Sequence, residues 1–138
     1  MNLKWYSPML HLLTRPQRLV IADFYQTELG REPVRDWLKT LTPTERRAIG
    51  KDVRKVEYGW PLGMPTCAPI GDGLWEIRTH LENRIARIFF CFVREKMILL
   101  HGFIKKSRVA PTTDLTLARD RKTDLERRLN APLSRQRT

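Results

Sequence analysis

The chain has 138 residues, with 26 Lys plus Arg against 15 Asp plus Glu, a formal net charge of +11 and an apolar fraction of 41%. That is enough for one domain with a hydrophobic core, and the positive balance favours an anionic partner: RNA, DNA, a membrane face or an acidic protein. Two cysteines, Cys67 and Cys91, are too few for a disulfide-rich secreted scaffold and lack paired zinc-ligand spacing, so a reducing, cytoplasmic setting is expected, and no apolar run reaches the roughly 20 residues of a membrane helix.

Residues 1–16 are expected to form an N-terminal extension. Pro8 and Pro16 punctuate it, no signal-peptide pattern is present, and Trp5, Tyr6, Met9, Leu10, Leu12 and Leu13 can dock onto the domain. The domain itself is expected over residues 17–130. Its opening stretch, residues 18–25, is rich in β-branched and aromatic residues and predicts a strand, with a turn around Gly30. Pro33 suits a first helical turn, and Val34, Trp37, Leu38 and Leu41 fall at offsets of three, four and seven, which makes a short amphipathic helix. Thr42 or Thr44 can cap a second helix with Ile49, Val53 and Val56 on its buried face, ended by Gly59 and Pro61.

Residues 61–73, with three prolines and three glycines, read as an irregular connection. Three strands are then expected, at residues 74–80, 84–93 and 97–106, joined by tight turns and therefore antiparallel neighbours. Alternation puts Trp75 and Ile77 on one face of the first, opposite Glu76, Arg78 and His80. It turns Ile88, Phe90 and Phe92 inward in the second, with Arg87 and Phe89 outward. In the third it assigns Ile98, Leu100 and Ile104 to the core, with Leu99, His101, Phe103 and Lys105 on the reverse face. Thr113 can cap a last helix with a stripe of Leu115, Ala118, Lys122, Leu125 and Leu129, and residues 131–138 are expected to be a basic flexible tail. The expected architecture is α+β: an N-terminal strand and a helix hairpin packed on a curved, mainly antiparallel sheet, then a C-terminal helix.

Between Arg78 and Arg108 there are eight Lys or Arg residues against Glu82 and Glu95 alone. Because Arg78, Arg87 and Lys105 share a face with Glu76, His80 and His101, the pattern predicts a cationic shelf. Such a shelf suits a phosphate backbone, with Phe89 and Phe103 available to stack on a base. Basic residues on a half-buried sheet are also ordinary solvating groups, Arg84, Arg94 and Lys96 at the turns above all. The imidazoles of His80 and His101 suit proton transfer, while no His, Asp and Glu grouping has metal-ligand spacing.

The sequence resembles the RelE/ParE superfamily of bacterial toxins, in its HigB-like, phage-derived branch. The resemblance runs over residues 18–128 and is carried by Glu32-Pro33-Val34-Arg35-Asp36-Trp37-Leu38, Gly71-Asp72-Gly73-Leu74-Trp75-Glu76-Ile77-Arg78, Arg84-Ile85-Ala86-Arg87-Ile88-Phe89-Phe90, Leu100-His101-Gly102-Phe103-Ile104-Lys105-Lys106 and the late Leu117-Ala118-Arg119. It implies a RelE-like fold and a ribosome-dependent mRNA endoribonuclease that needs no cofactor or metal. It also implies restraint by a cognate antitoxin, often one with a helix-turn-helix domain, and operator DNA contacted through the toxin-antitoxin complex. Arg78 and Arg87 match the phosphate-contacting arginines. Lys105 and Lys106 match the basic strand end that binds the scissile phosphate or a neighbouring backbone, with Arg108 and Arg84 at the rim as further RNA contacts. Glu76 orients an arginine or takes a proton, and His80 or His101 serves as general acid or base. Members of the family often carry a Tyr, His or Asp near the C-terminus as part of the catalytic set; after Arg108 this chain has neither Tyr nor His. The superfamily also holds gyrase inhibitors, which makes a non-cleaving nucleic-acid-binding toxin the alternative.

Overall fold

The computed structural model describes residues 18–61, 66–106, 108 and 111–131. The expected extension at 1–16 and all but the first residue of the expected tail lie outside them. In chain order the elements are β1 (Ile21–Phe24), α1 (Pro33–Lys39), α2 (Pro43–Gly59), β2 (Cys67–Gly71), β3 (Leu74–His80), β4 (Ile85–Val93), β5 (Lys96–Lys105) and α3 (Thr112–Leu129). The five strands form one curved, mixed sheet in the order β1-β5-β4-β3-β2. All neighbours are antiparallel except β1, which lies parallel to β5.

The first two helices start on local signals. Pro33 occupies the first turn of α1, where its missing N–H costs nothing, and Thr42 and Glu45 make a reciprocal capping box at the start of α2. Val34, Ile49 and Val56 point from this hairpin into a core shared with Ile77, Ile88, Phe90, Met97 and Leu99 of the sheet. A second core lies on the opposite sheet face, where α3 covers Tyr25, Leu74, Phe89, Cys91, Ile98, Leu100 and Phe103. Ala118, fully buried, lets the α3 backbone approach the strands closely. Farther along the helix, the Tyr25 hydroxyl donates to Asp124, and Leu129, half exposed, lies beyond the reach of the core.

The last helix begins at Thr112 behind Pro111, so Thr113 lies inside it and does not cap it, and two expectations about the sheet also needed correction. Residues 67–71 form β2, an edge strand, where only one neighbour needs backbone donors; Pro69 is accommodated beside a register shift. Its hairpin with β3 turns on Asp72 and Gly73, both at positive φ (56° and 75°), which are the conformations a type I′ turn requires. The second correction concerns β5. A bulge between the pairs Phe89 with His101 and Phe90 with Leu99 leaves Leu100 without a partner. One extra residue reverses alternation. Leu99 therefore joins the helix-hairpin core with Ile104, while Ile98 and Leu100 pack under α3, on the face that carries His101, Phe103 and Lys105.

Gly102 lies directly under the Trp37 ring of α1. A Cβ built there would stand 2.4 Å from Cε3 of Trp37. Gly102→Ala is expected to cost about 3 kcal/mol of stability, the upper part of the range for overpacking, because an indole ring cannot swing away as a flexible chain end can. Gly50→Ala, in mid-helix with open space around it, should instead stabilise by about 0.5–1 kcal/mol. Urea unfolding of the two variants side by side checks both signs.

Candidate phosphate-binding site

Register brings the predicted residues together in three parallel rows across β3, β4 and β5. Glu76 lies opposite Phe89 and then His101, Arg78 opposite Arg87 and then Phe103, and His80 opposite Ile85 and then Lys105. Paired residues in an antiparallel sheet share a face, so all nine look to the same side. The α3 helix covers the first row and leaves the other end of the shelf open. Lys105 is half-buried, and His80, Lys106 and Arg108 are exposed.

Glu76 organises the middle of the site. Its side chain is 3% exposed, and one oxygen pairs with Nε of Arg78 while the other accepts from Arg87 at 3.1 Å. A carboxylate this deeply buried needs a partner for each oxygen, and here both oxygens are engaged with guanidinium groups. Glu76 thereby holds the two guanidinium groups side by side. The trio keeps one positive charge in excess. Arg87 is 11% exposed, and its Nε is buried with no acceptor among the described residues.

The two aromatic residues expected to stack on bases are not available to do so. Phe89 is 1% exposed and Phe103 is buried as well; their rings pack edge to face at 5.1 Å beneath α3. The reverse face of the sheet is thus a second core at its covered end, which strand alternation alone does not show. Arg84 is engaged too: its guanidinium donates twice to Glu45 at the start of α2, so it ties the β3–β4 turn to the helix hairpin at the rim.

His101 has both ring nitrogens occupied. Nε2 stands 2.7 Å from Asp114 Oδ1, and Nδ1 stands 3.2 Å from a terminal nitrogen of Arg121, which also donates to the Leu100 carbonyl at 2.9 Å. Burial lowers the Arg121 pKa from its ordinary value, yet a guanidinium at neutral pH still only donates. Asp114 and Arg121 are neighbours of His101 that the strand pattern does not reveal. The available signal was their spacing around Ala118, at offsets of four and then three, which places all three on one face of a helix.

Beside the shelf, an open cavity of about 760 Å³ lies between the end of α1, the end of β5 and the first turn of α3, with Trp37, Arg84, Lys105, Lys106, Thr112 and Thr113 among its lining residues. Among the described residues no three His, Cys, Asp or Glu side chains gather as metal ligands would, and no helix is long and apolar enough to cross a membrane. Burial pushes the Cys67 and Cys91 thiols up to about 11, which leaves them unreactive at neutral pH.

Fold and site together define a small α+β protein with a cationic sheet face partly roofed by a C-terminal helix. The chain belongs to the phage-derived Gp49-like protein family (DUF891), whose model matches residues 36–123, from within α1 through β5 and into α3 but without β1. No curated protein matches it.

Proposed function

We propose that this protein is the toxin of a toxin-antitoxin pair, of the RelE and HigB kind, and that it cuts mRNA on the translating ribosome. The observation that carries the reading is the pair of arginines, Arg78 and Arg87, set side by side by cross-strand register and clamped by the buried Glu76. Two preoriented guanidinium groups with one net positive charge suit a phosphodiester whose negative charge grows during reaction.

In the reaction, the ribose 2′-oxygen loses its proton and attacks the adjacent phosphorus. The bond from phosphorus to the 5′-oxygen breaks, and that oxygen takes up a proton, leaving a cyclic phosphate and a 5′-hydroxyl end. Arg78 and Arg87 hold the non-bridging oxygens, and Lys105, one row away, neutralises further charge. His80, exposed in the same row as Lys105, is the imidazole free to move a proton; His101, with both nitrogens engaged, is not. Lys106 and Arg108 extend the positive surface along the strand end towards the RNA backbone. An acidic antitoxin segment suits the same shelf, and the charge of +11 favours such a partner.

Purified protein added to a reconstituted translation reaction should cut the message only while it is being translated. Uncut message together with continued protein synthesis, at protein concentrations equal to those of the ribosomes, would refute the reading.

A further inference from the structure

The bulge in β5 creates a problem that α3 solves. Leu100 has no partner in β4, and its carbonyl receives a donor from Arg121 of α3. The same terminal nitrogen faces Nδ1 of His101, whose other nitrogen faces Asp114 two helical turns earlier. Since a guanidinium has no acceptor to offer, Nδ1 must accept, and the ring proton sits on Nε2 and is donated to Asp114. Ala118, midway between the two partners on the helix, is fully buried and brings the α3 backbone down to the strand. The imidazole also stacks on Phe103, centroids 5.5 Å apart and planes 18° from parallel, next to Arg87 in the second row.

We propose that His101 is a positioning residue: held as the Nε2–H tautomer between Asp114 and Arg121, it fixes the first turns of α3 on β5 and so sets the wall of the cavity in which the RNA strand lies beside Arg87 and Lys105. The inference rests on the RNA-cleaving reading for its substrate, but its structural half stands alone. Asp114 belongs to the same helical turn as Thr112 and Thr113, which line that cavity opposite Lys105 and Lys106. A shift of that turn moves the cavity wall against the RNA strand and weakens its binding without removing any reacting group.

The test uses the full chain with ¹⁵N-labelled histidines, together with His101→Gln, His101→Asn and His101→Ala. Nitrogen spectra of the wild type should show His101 unprotonated at Nδ1 and protonated at Nε2, and the opposite tautomer, or an average of the two, would overturn the assignment. His101→Gln keeps a donor towards Asp114, and His101→Asn keeps an acceptor towards Arg121. Amide exchange in the first two turns of α3 should rise in His101→Ala and be partly restored in each of the others; exchange unchanged in His101→Ala would overturn the positioning role. In the cleavage reaction, His101→Gln and His101→Asn should raise KM about tenfold and alter kcat less than threefold. A uniform fall of kcat by about 10²–10⁴ in all three variants would instead make His101 a general acid or base and refute the proposal. Should the wild type cut no message, the functional reading fails, and the tautomer and exchange measurements still decide the role of His101.

Discussion

Arg87→Ala is expected to lower mRNA cleavage by about 10²–10³, the usual loss when one preorganised donor to a developing oxyanion is removed, while the protein remains folded. The two halves of that expectation have separate grounds. Glu76 keeps Arg78 as a partner when Arg87 is gone, so only one carboxylate oxygen is left unpaired, and the donor without an acceptor, Arg87 Nε, disappears with the side chain. Stability should therefore fall by about 1–2 kcal/mol, too little to unfold the domain. Activity should collapse, because Arg87 is fixed by Glu76 and by the row it shares with Arg78 and Phe103, and neither neighbour can move a guanidinium into its place. Single-turnover cleavage beside an unfolding curve reads both. A variant that is folded and cuts at the wild-type rate would remove Arg87 from the site.

The opposite balance is expected for Glu76→Ala. It strips the shared counter-charge from two arginines at once, one of them almost wholly buried, and should destabilise the protein by about 3 kcal/mol. That value is the lower end for a broken buried pair, since Arg78 is a third exposed and regains water when released. Activity should fall as well, through loss of orientation. The variant Glu76→Ala/Arg87→Ala should be more stable than the sum of the single losses implies, by at least about 1 kcal/mol, because the second change removes the stranded charge. Denaturant unfolding of the four proteins closes the cycle, and strict additivity would show that the carboxylate does not act as a clamp.

Much of the architecture was legible because its signals were local. Pro33, the Thr42 and Glu45 box and the apolar spacing of both N-terminal helices fixed α1 and α2, and three alternating runs with tight turns fixed β3, β4 and β5. The rows of Glu76, Arg78 and Arg87 followed from parity alone, which needs no knowledge of what lies above the sheet. What escaped depended on neighbours. β2 was hidden by Pro69, although Asp72-Gly73 is itself a hairpin signal, and the bulge at Leu100 inverts alternation with no mark in composition. Phe89 and Phe103 looked like surface aromatics because nothing in their own strands reveals that α3 lies across them. For the same reason His101 read as a proton-transfer group, when Asp114 and Arg121, 13 and 20 residues later, occupy its ring.

The central claim is that the arginine pair serves to cut RNA. It is tested most directly by mapping the chemistry of transcript ends in cells shortly after induction of the protein, with Arg78→Ala/Arg87→Ala as the control. The account predicts new 5′-hydroxyl ends within translated reading frames, absent from the control and absent when ribosomes are kept off the message. Growth arrest with no new ends, preceded by failing replication or altered DNA supercoiling, would contradict it and identify the shelf as the binding face of a non-cleaving toxin.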